Sequence, residues 1–241
     1  MNASSKVEAY FSGQEPTCFL GQLPFNIRAF VVDNYVTLGQ LTALRFLEWV
    51  CQNPYGVVAL PTGKTPEFFI QWVKYYLEHW EKEAKNGIIH LLGLGKEKPQ
   101  MHTLTFFQID EFFPISPQHE RSFQYFIKKF YVEGFGLDPS RVHYIDTFSL
   151  PRQLSEKIGL SNTYEVFGNK KVDLRLRWRK PNSMSEYYQQ EVITYFDDYC
   201  QQYEQQIRAV GGIGFFLGGI GPDGHIAFNI KGSSHYSTTR L

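Results

Sequence analysis

The stretch that most constrains this chain is residues 56–60 (GVVAL), with the turn 61–66 (PTGKTP) and the helical run 67–85 directly behind it. The first five residues carry no charge and do not alternate, so a strand made of them must bury both faces. The run that follows places Phe68, Phe69, Trp72, Tyr76 and Trp80 at helical spacing, which gives it one broad apolar face. The same beat returns. Residues 104–109 (LTFFQI) read as a strand, 122–132 as a helix, 142–145 as a strand and 184–209 as a long helix, and 214–217 lead into a glycine-rich turn. Upstream, 27–32 (IRAFVV) is a β-rich run. Residues 36–52 repeat Leu38, Leu41, Leu44, Leu47 and Val50 until Asn53-Pro54 stops the helix. Alternation of buried strands with amphipathic helices predicts an α/β, doubly wound, mostly parallel sheet with helices on both faces, Rossmann-like.

Two stretches break the rhythm. Residues 93–101 form a polar loop. In 170–180 (KKVDLRLRWRK), Val172, Leu174, Leu176 and Trp178 alternate with Asp173, Arg175, Arg177 and Arg179. That period of two predicts a half-buried strand or hairpin whose basic outer face is solvated. Residues 1–26 read as an irregular arm. Residues 27–241 form the α/β domain, with an insertion near 161–183.

With 24 Lys+Arg against 24 Asp+Glu the chain is formally neutral, which argues against a general nucleic-acid binder. Its apolar runs fall far short of the ~18 residues of a membrane helix. The polar first fourteen residues carry no apolar secretion core. Cys18, Cys51 and Cys200 are sparse, odd in number and without a CxxC pair, as expected of reduced thiols in a cytoplasmic protein.

In a parallel sheet, ligands bind beyond the carboxyl ends of the strands. Three turns there carry chemistry. In the first, Gly63 lets backbone N–H groups approach an anion, Thr62 and Thr65 add hydroxyls, Lys64 adds charge, and a helix N-terminus lies behind. The spacing is not that of a Walker loop. The same residues also suit a helix cap at Thr65 with Pro66 at the first helical position. In the second, Asp110 and Glu111 lie among Phe106, Phe107, Phe112 and Phe113. Desolvation there raises a carboxylate pKa, as a general base needs, although a turn or helix cap uses the same residues. In the third, residues 218–229 (GGIGPDGHIAFN), four glycines precede His225, and Asp223 is near enough to orient its imidazole for proton transfer. No HxH or HExxH partner marks a metal site.

Together the stretches 60–66 (LPTGKTP), 106–115 (FFQIDEFFPI), the SFQYF helix from Ser122, 218–229 and 233–241 (SSHYSTTRL) resemble the glucosamine-6-phosphate deaminase/isomerase family. That family shares a superfamily with 6-phosphogluconolactonase. The resemblance implies that His225, oriented by Asp223, assists sugar-ring opening. Asp110 is then the base that moves a proton between C2 and C1 through an enediol-type intermediate, and ammonia leaves from C2. It assigns Thr62, Gly63, Lys64, Thr65, Glu111, Gly219, Gly221 and Gly224 to the sugar phosphate. No cofactor or metal is implied. The expected partner is a small-molecule sugar phosphate, with no nucleic acid or membrane and a possible homo-oligomer.

Three positions depart from the family pattern. Ile230 stands where the deaminases carry a Glu that couples to the catalytic His. Lys64 replaces a frequent second Gly. Family members run on past the region of Arg240, so the chain is expected to lack the final strand–helix units and to leave a sheet edge unpaired. Two other functions follow from these departures and from the superfamily: a non-catalytic sugar-phosphate-binding or regulatory domain, and a lactonase-like hydrolase.

Overall fold

The structure is a computed structural model that describes residues 5–13, 18–19, 29–169, 171–233 and 239–241. In chain order its elements are α1 (Lys6–Ser12), β1 (Cys18–Phe19), β2 (Phe30–Val31), α2 (Tyr35–Gln52), β3 (Val57–Ala59), α3 (Glu67–Glu78), α4 (Trp80–Asn86), α5 (Ile88–Leu92) and β4 (Thr105–Phe107). There follow α6 (Phe123–Ile127), a π-helical turn (Lys128–Val132), α7 (Glu133–Phe135), β5 (Val142–His143), α8 (Arg152–Ile158), α9 (Thr163–Phe167), α10 (Met184–Ala209) and β6 (Phe215–Phe216). β1 and β2 pair antiparallel.

The main sheet has the order β5-β4-β3-β6. β3 runs parallel to both its neighbours, with Val57 opposite Thr105 and Val58 opposite Phe215. The expected α/β architecture is what forms. The chain lays down β3, then β4, then β5, and returns to place β6 on the free side of β3. The strand order therefore reverses beside β3, and in sheets of this kind such a reversal opens the ligand crevice. Among the described residues β6 pairs with β3 alone, and Phe216 on it is exposed.

The chain divides into two compact units. The first comprises Met1–Phe106, Ile127–Val142 and Gly214–Gly219. Its core gathers Phe46 against Phe69, Phe135 and Phe215, with ring centroids 5.3–6.4 Å apart. Gly39 lets α2 press onto α3: a Cβ there would lie 2.4 Å from that of Phe68. The expected single helix over 67–85 is two, because the chain turns at His79, whose N–H donates to the Tyr75 carbonyl and which swings Trp80 into full burial.

Part of the expected irregular arm is also ordered as α1. Ser5 caps the helix at Glu8 N. The buried Glu48 carboxylate accepts from Ser5 Oγ (2.5 Å) and Lys6 N (2.7 Å). Val7 and Phe11 supply the apolar contact.

The second unit comprises Phe107–Phe126, His143–Ile213 and Ile220–Leu241. Its core is Ile158, Val166, Phe167, Leu176, Val192, Ile193 and Phe196. The strand expected over 172–179 does not form. Asp173 accepts from Arg175 N and starts a 3₁₀ turn, Leu174–Arg177, which drives Leu176 into the core and leaves Trp178 exposed. Each arginine of the basic run meets a carboxylate. Arg175 pairs with Asp173, Arg177 makes a bidentate pair with Asp197 (2.7 and 2.8 Å), and Arg179 reaches both Glu186 and Asp173. The run is a solvated, internally neutralised face.

Candidate active site

In the first unit, the turn after β3 and the turn after β6 flank the strand-order reversal. Gly63 takes a left-handed φ of +83°, a conformation that costs a residue with a Cβ roughly 1–2 kcal/mol. Thr62 is half-buried, and Gly63, Lys64 and Thr65 are exposed. The turn is anchored behind by Pro61, whose carbonyl accepts from the buried Tyr131 hydroxyl, and closed by Glu67 N donating to Lys64 O (3.2 Å). Pro66 occupies the cap of α3 and supplies no side-chain hydrogen bond. The cap expected of Thr65 is therefore not made, and the Thr65 hydroxyl is left outside the helix. Across the strand pair, a Cβ on Gly219 would come within 3.2 Å of Thr65 Cγ2. These two predicted residues touch, and any side chain at 219 would push into the cradle. A helix N-terminus, a lysine and two hydroxyls around one glycine are equipped for a phosphate.

In the second unit, Asp110 and Glu111 follow β4, and their environments diverge. Glu111 turns both oxygens to the chain itself. It accepts from Ser122 Oγ (2.8 Å), Gln124 N (2.9 Å), Phe123 N (3.0 Å), Phe112 N (3.0 Å) and Gln108 Nε2 (3.2 Å). It thus caps the start of α6, where exposed N–H groups and the helix dipole favour an anion. Asp110 has no such donors: among the described residues its carboxylate makes no hydrogen bond. Burial, with the Glu111 charge adding to it, pushes its pKa from 3.8 up to about 6. Two adjacent carboxylates have become one fixed cap and one bare group poised near neutrality, which is the division of labour a general base requires.

The glycine turn of the same unit delivers His225. Gly221 N donates to His225 O, and Gly224 N to Gly221 O (both 2.9 Å), with Gly224 at φ +84°. His225 Nδ1 lies 2.5 Å from Asp223 Oδ1, and that contact lowers the pKa of Asp223. Gly221 is the seat of the ring: a Cβ there would fall 2.1–2.5 Å from three imidazole atoms. Beyond it, Ala227 adopts φ +51° and Asn229 Oδ1 accepts from Arg240 Nη2 (2.5 Å). Ile230 is exposed.

Phe112, beside the carboxylates, packs on Phe228 of the glycine turn (5.1 Å), and Phe123 at the start of α6 contacts both rings (4.9 and 5.9 Å). This trio ties the segment bearing Asp110 and Glu111 to the one bearing Gly221, Asp223, Gly224 and His225. Thr62, Gly63, Lys64, Thr65 and Gly219 belong to the first unit.

Sequence reasoning missed Gln108. It is 2 % exposed, and its side chain bonds Asp110 O (2.8 Å), Glu111 and Ile145 N (3.0 Å). A long polar side chain between Phe107 and Ile109 in a largely apolar run is the signal that marks it. Among the described residues no cluster of three metal-binding side chains occurs, and no helix is long and apolar enough to cross a membrane.

No family model matches the chain. Curated relatives do. Over 195 residues it is 28% identical to glucosamine-6-phosphate deaminase of Drosophila melanogaster, covering 78% of this chain and 46% of the relative. Over 224 residues it is 27% identical to glucosamine-6-phosphate deaminase 2 of Homo sapiens, covering 89% and 58%. The chain thus spans about half the length of the curated relatives it matches. Among solved structures, a monomeric glucosamine-6-phosphate deaminase, described as a missing link of the NagB superfamily, aligns with a TM-score of 0.54 at 20% identity, covering 86% of this chain and 60% of that one. The chain is similar in sequence to the glucosamine-6-phosphate deaminases, and it shares the α/β fold of that monomeric member.

Proposed function

We infer that this chain carries the phosphate cradle and the acid/base groups of a glucosamine-6-phosphate deaminase-like enzyme. The observation that carries the reading is the contrast within the second unit. A bare, half-buried Asp110 with its pKa pushed to about 6 is packed through Phe112 and Phe228 to a turn that holds the His225–Asp223 pair. Thr62, Gly63, Lys64 and Thr65 take the phosphate. His225 moves a proton between the anomeric hydroxyl and the ring oxygen, which opens the sugar. Asp110 accepts the proton from C2, and delivery of that proton to C1 passes through the enediol-type intermediate. Water then adds at C2 and ammonia leaves, so one amino-sugar phosphate and one water give one ketose phosphate and one ammonia. Glu111 acts by fixing the turn.

The test is ammonia release from glucosamine 6-phosphate by the chain as it stands and by Asp110→Asn. Turnover that Asp110→Asn abolishes supports the reading, and unchanged turnover in the variant removes Asp110 as the base. Acid release from 6-phosphogluconolactone in place of ammonia assigns the lactonase chemistry. A second reading, a sugar-phosphate-binding domain without turnover, is favoured by Ile230, which is exposed and can accept no proton from the glycine turn. Saturable binding of glucosamine 6-phosphate with no product identifies it.

A further inference from the structure

Gln108 directly follows β4, two residues before Asp110, and is one of few buried polar side chains in the second unit. Every hydrogen-bonding group of its carboxamide faces the turn or its support. Oε1 accepts from Ile145 N (3.0 Å), and Nε2 donates to the Asp110 carbonyl (2.8 Å) and to Glu111 Oε2 (3.2 Å). Its backbone is held as firmly: N donates to His143 O (3.1 Å), and O accepts from the Tyr203 hydroxyl of α10 (2.7 Å). A buried amide satisfied in this way is costly to disturb, because each lost partner leaves a desolvated polar group behind. A glutamate of the same shape would set a second charge against Glu111, and an apolar residue would free the turn.

We propose that Gln108 is a positioning residue: its carboxamide ties the Asp110–Glu111 turn to the backbone at Ile145 and so holds the Asp110 carboxylate in its half-buried place. The kinetic part of the proposal rests on Asp110 being the base, and the structural part does not. The titratable groups on the segments packed around the turn are Glu111 within it, His143, Tyr144 and Asp146 at and after β5, Tyr199 and Tyr203 on α10, and Asp223 and His225 on the glycine turn. Burial pushes the phenols of Tyr144, Tyr199 and Tyr203 upward, so they stay neutral over the range in which Asp110 titrates.

The experiment is a carboxyl NMR titration of Asp110 in the whole chain carrying Gln108→Met, which keeps the volume and removes the amide. Loss of the tether lets the turn reach water, so the Asp110 midpoint falls from about 6 toward 3.8 while Asp223 is unmoved. A folded variant in which Asp110 titrates as before overturns the proposal. Gln108→Asn, whose amide is withdrawn by one methylene, decides the matter by the same readout if the methionine variant does not fold. Val192→Ala, a core truncation on α10, controls for general loosening and leaves the midpoint in place; an equal shift there also overturns the proposal. In turnover of glucosamine 6-phosphate, Gln108→Met lowers kcat about a hundredfold with little change in KM, the scale of a 1 Å misplacement. A wild-type chain without turnover defeats the deaminase reading and leaves the titration to judge Gln108.

Discussion

Replacing Asp110 by Asn should destroy turnover and at the same time stabilise the chain, with a pH dependence that identifies the cause. Asp110 titrates at about 6 in the fold against an ordinary 3.8, so the native state holds its proton more tightly than the unfolded state does. The contribution of this group to stability is therefore full below pH 3.8 and is lost as pH rises through 6. Forcing the carboxyl to ionise in place costs at most ~3 kcal/mol at 1.36 kcal/mol per pKa unit. Solvent still reaches the group, and screening brings that down to roughly 1–2 kcal/mol. Asparagine has the same shape and no charge, and the wild-type carboxylate makes no hydrogen bond among the described residues for it to lose. Thermal unfolding of wild type and Asp110→Asn from pH 4 to pH 8 is the assay. At about 2–4 °C per kcal/mol for a chain of this length, the variant should melt ~2–8 °C higher at pH 8, with the gap closing below pH 4. A gap that is flat with pH, or a variant less stable at pH 8, would refute the claim that burial raises this pKa.

Other substitutions probe the remaining supports. Gly221→Ala sets a methyl within 2.1–2.5 Å of the imidazole. The ring must leave Asp223, so kcat should fall about a hundredfold or more while the melting temperature changes little; His225 ring shifts in NMR report the displacement. Glu111→Gln turns an amide toward donors that now meet a carboxylate and should cost about 1–2 kcal/mol by urea unfolding. It also removes the neighbouring charge, so the Asp110 midpoint should drop below 6. Leu176→Ala hollows the fully buried centre of the second unit. It should lose ~2–5 kcal/mol by urea unfolding, with KM for glucosamine 6-phosphate unchanged in the folded protein.

How much of this was legible depends on how local the determining interactions are. Residues 56–60 announced a strand because burial on both faces leaves an uninterrupted apolar run. The helix at 184–209 was equally plain, since Ser183 caps it and its apolar spacing persists to the end. The 172–179 stretch failed for the opposite reason. A period of two is necessary for a half-buried strand but does not specify one. Here Asp173 bonds the Arg175 amide, and Asp197 and Glu186, twenty and seven residues further along the chain, capture Arg177 and Arg179. Tertiary ion pairs thus fixed a turn that the local pattern does not encode. The break at His79 is also tertiary in origin, because an unbroken helix would aim Trp80 differently from its buried place.

The candidate site shows the same limit at finer grain. Adjacent carboxylates mark a spot where chemistry can occur, but they are equivalent on paper. What separates them is the Ser122 hydroxyl, the backbone amides of Phe123 and Gln124 and the Gln108 side chain, all of which choose Glu111. Once Glu111 is held as the cap, its fixed charge helps to raise Asp110. The base is thus defined by what its neighbour is doing, and that follows from how α6 begins beside β4.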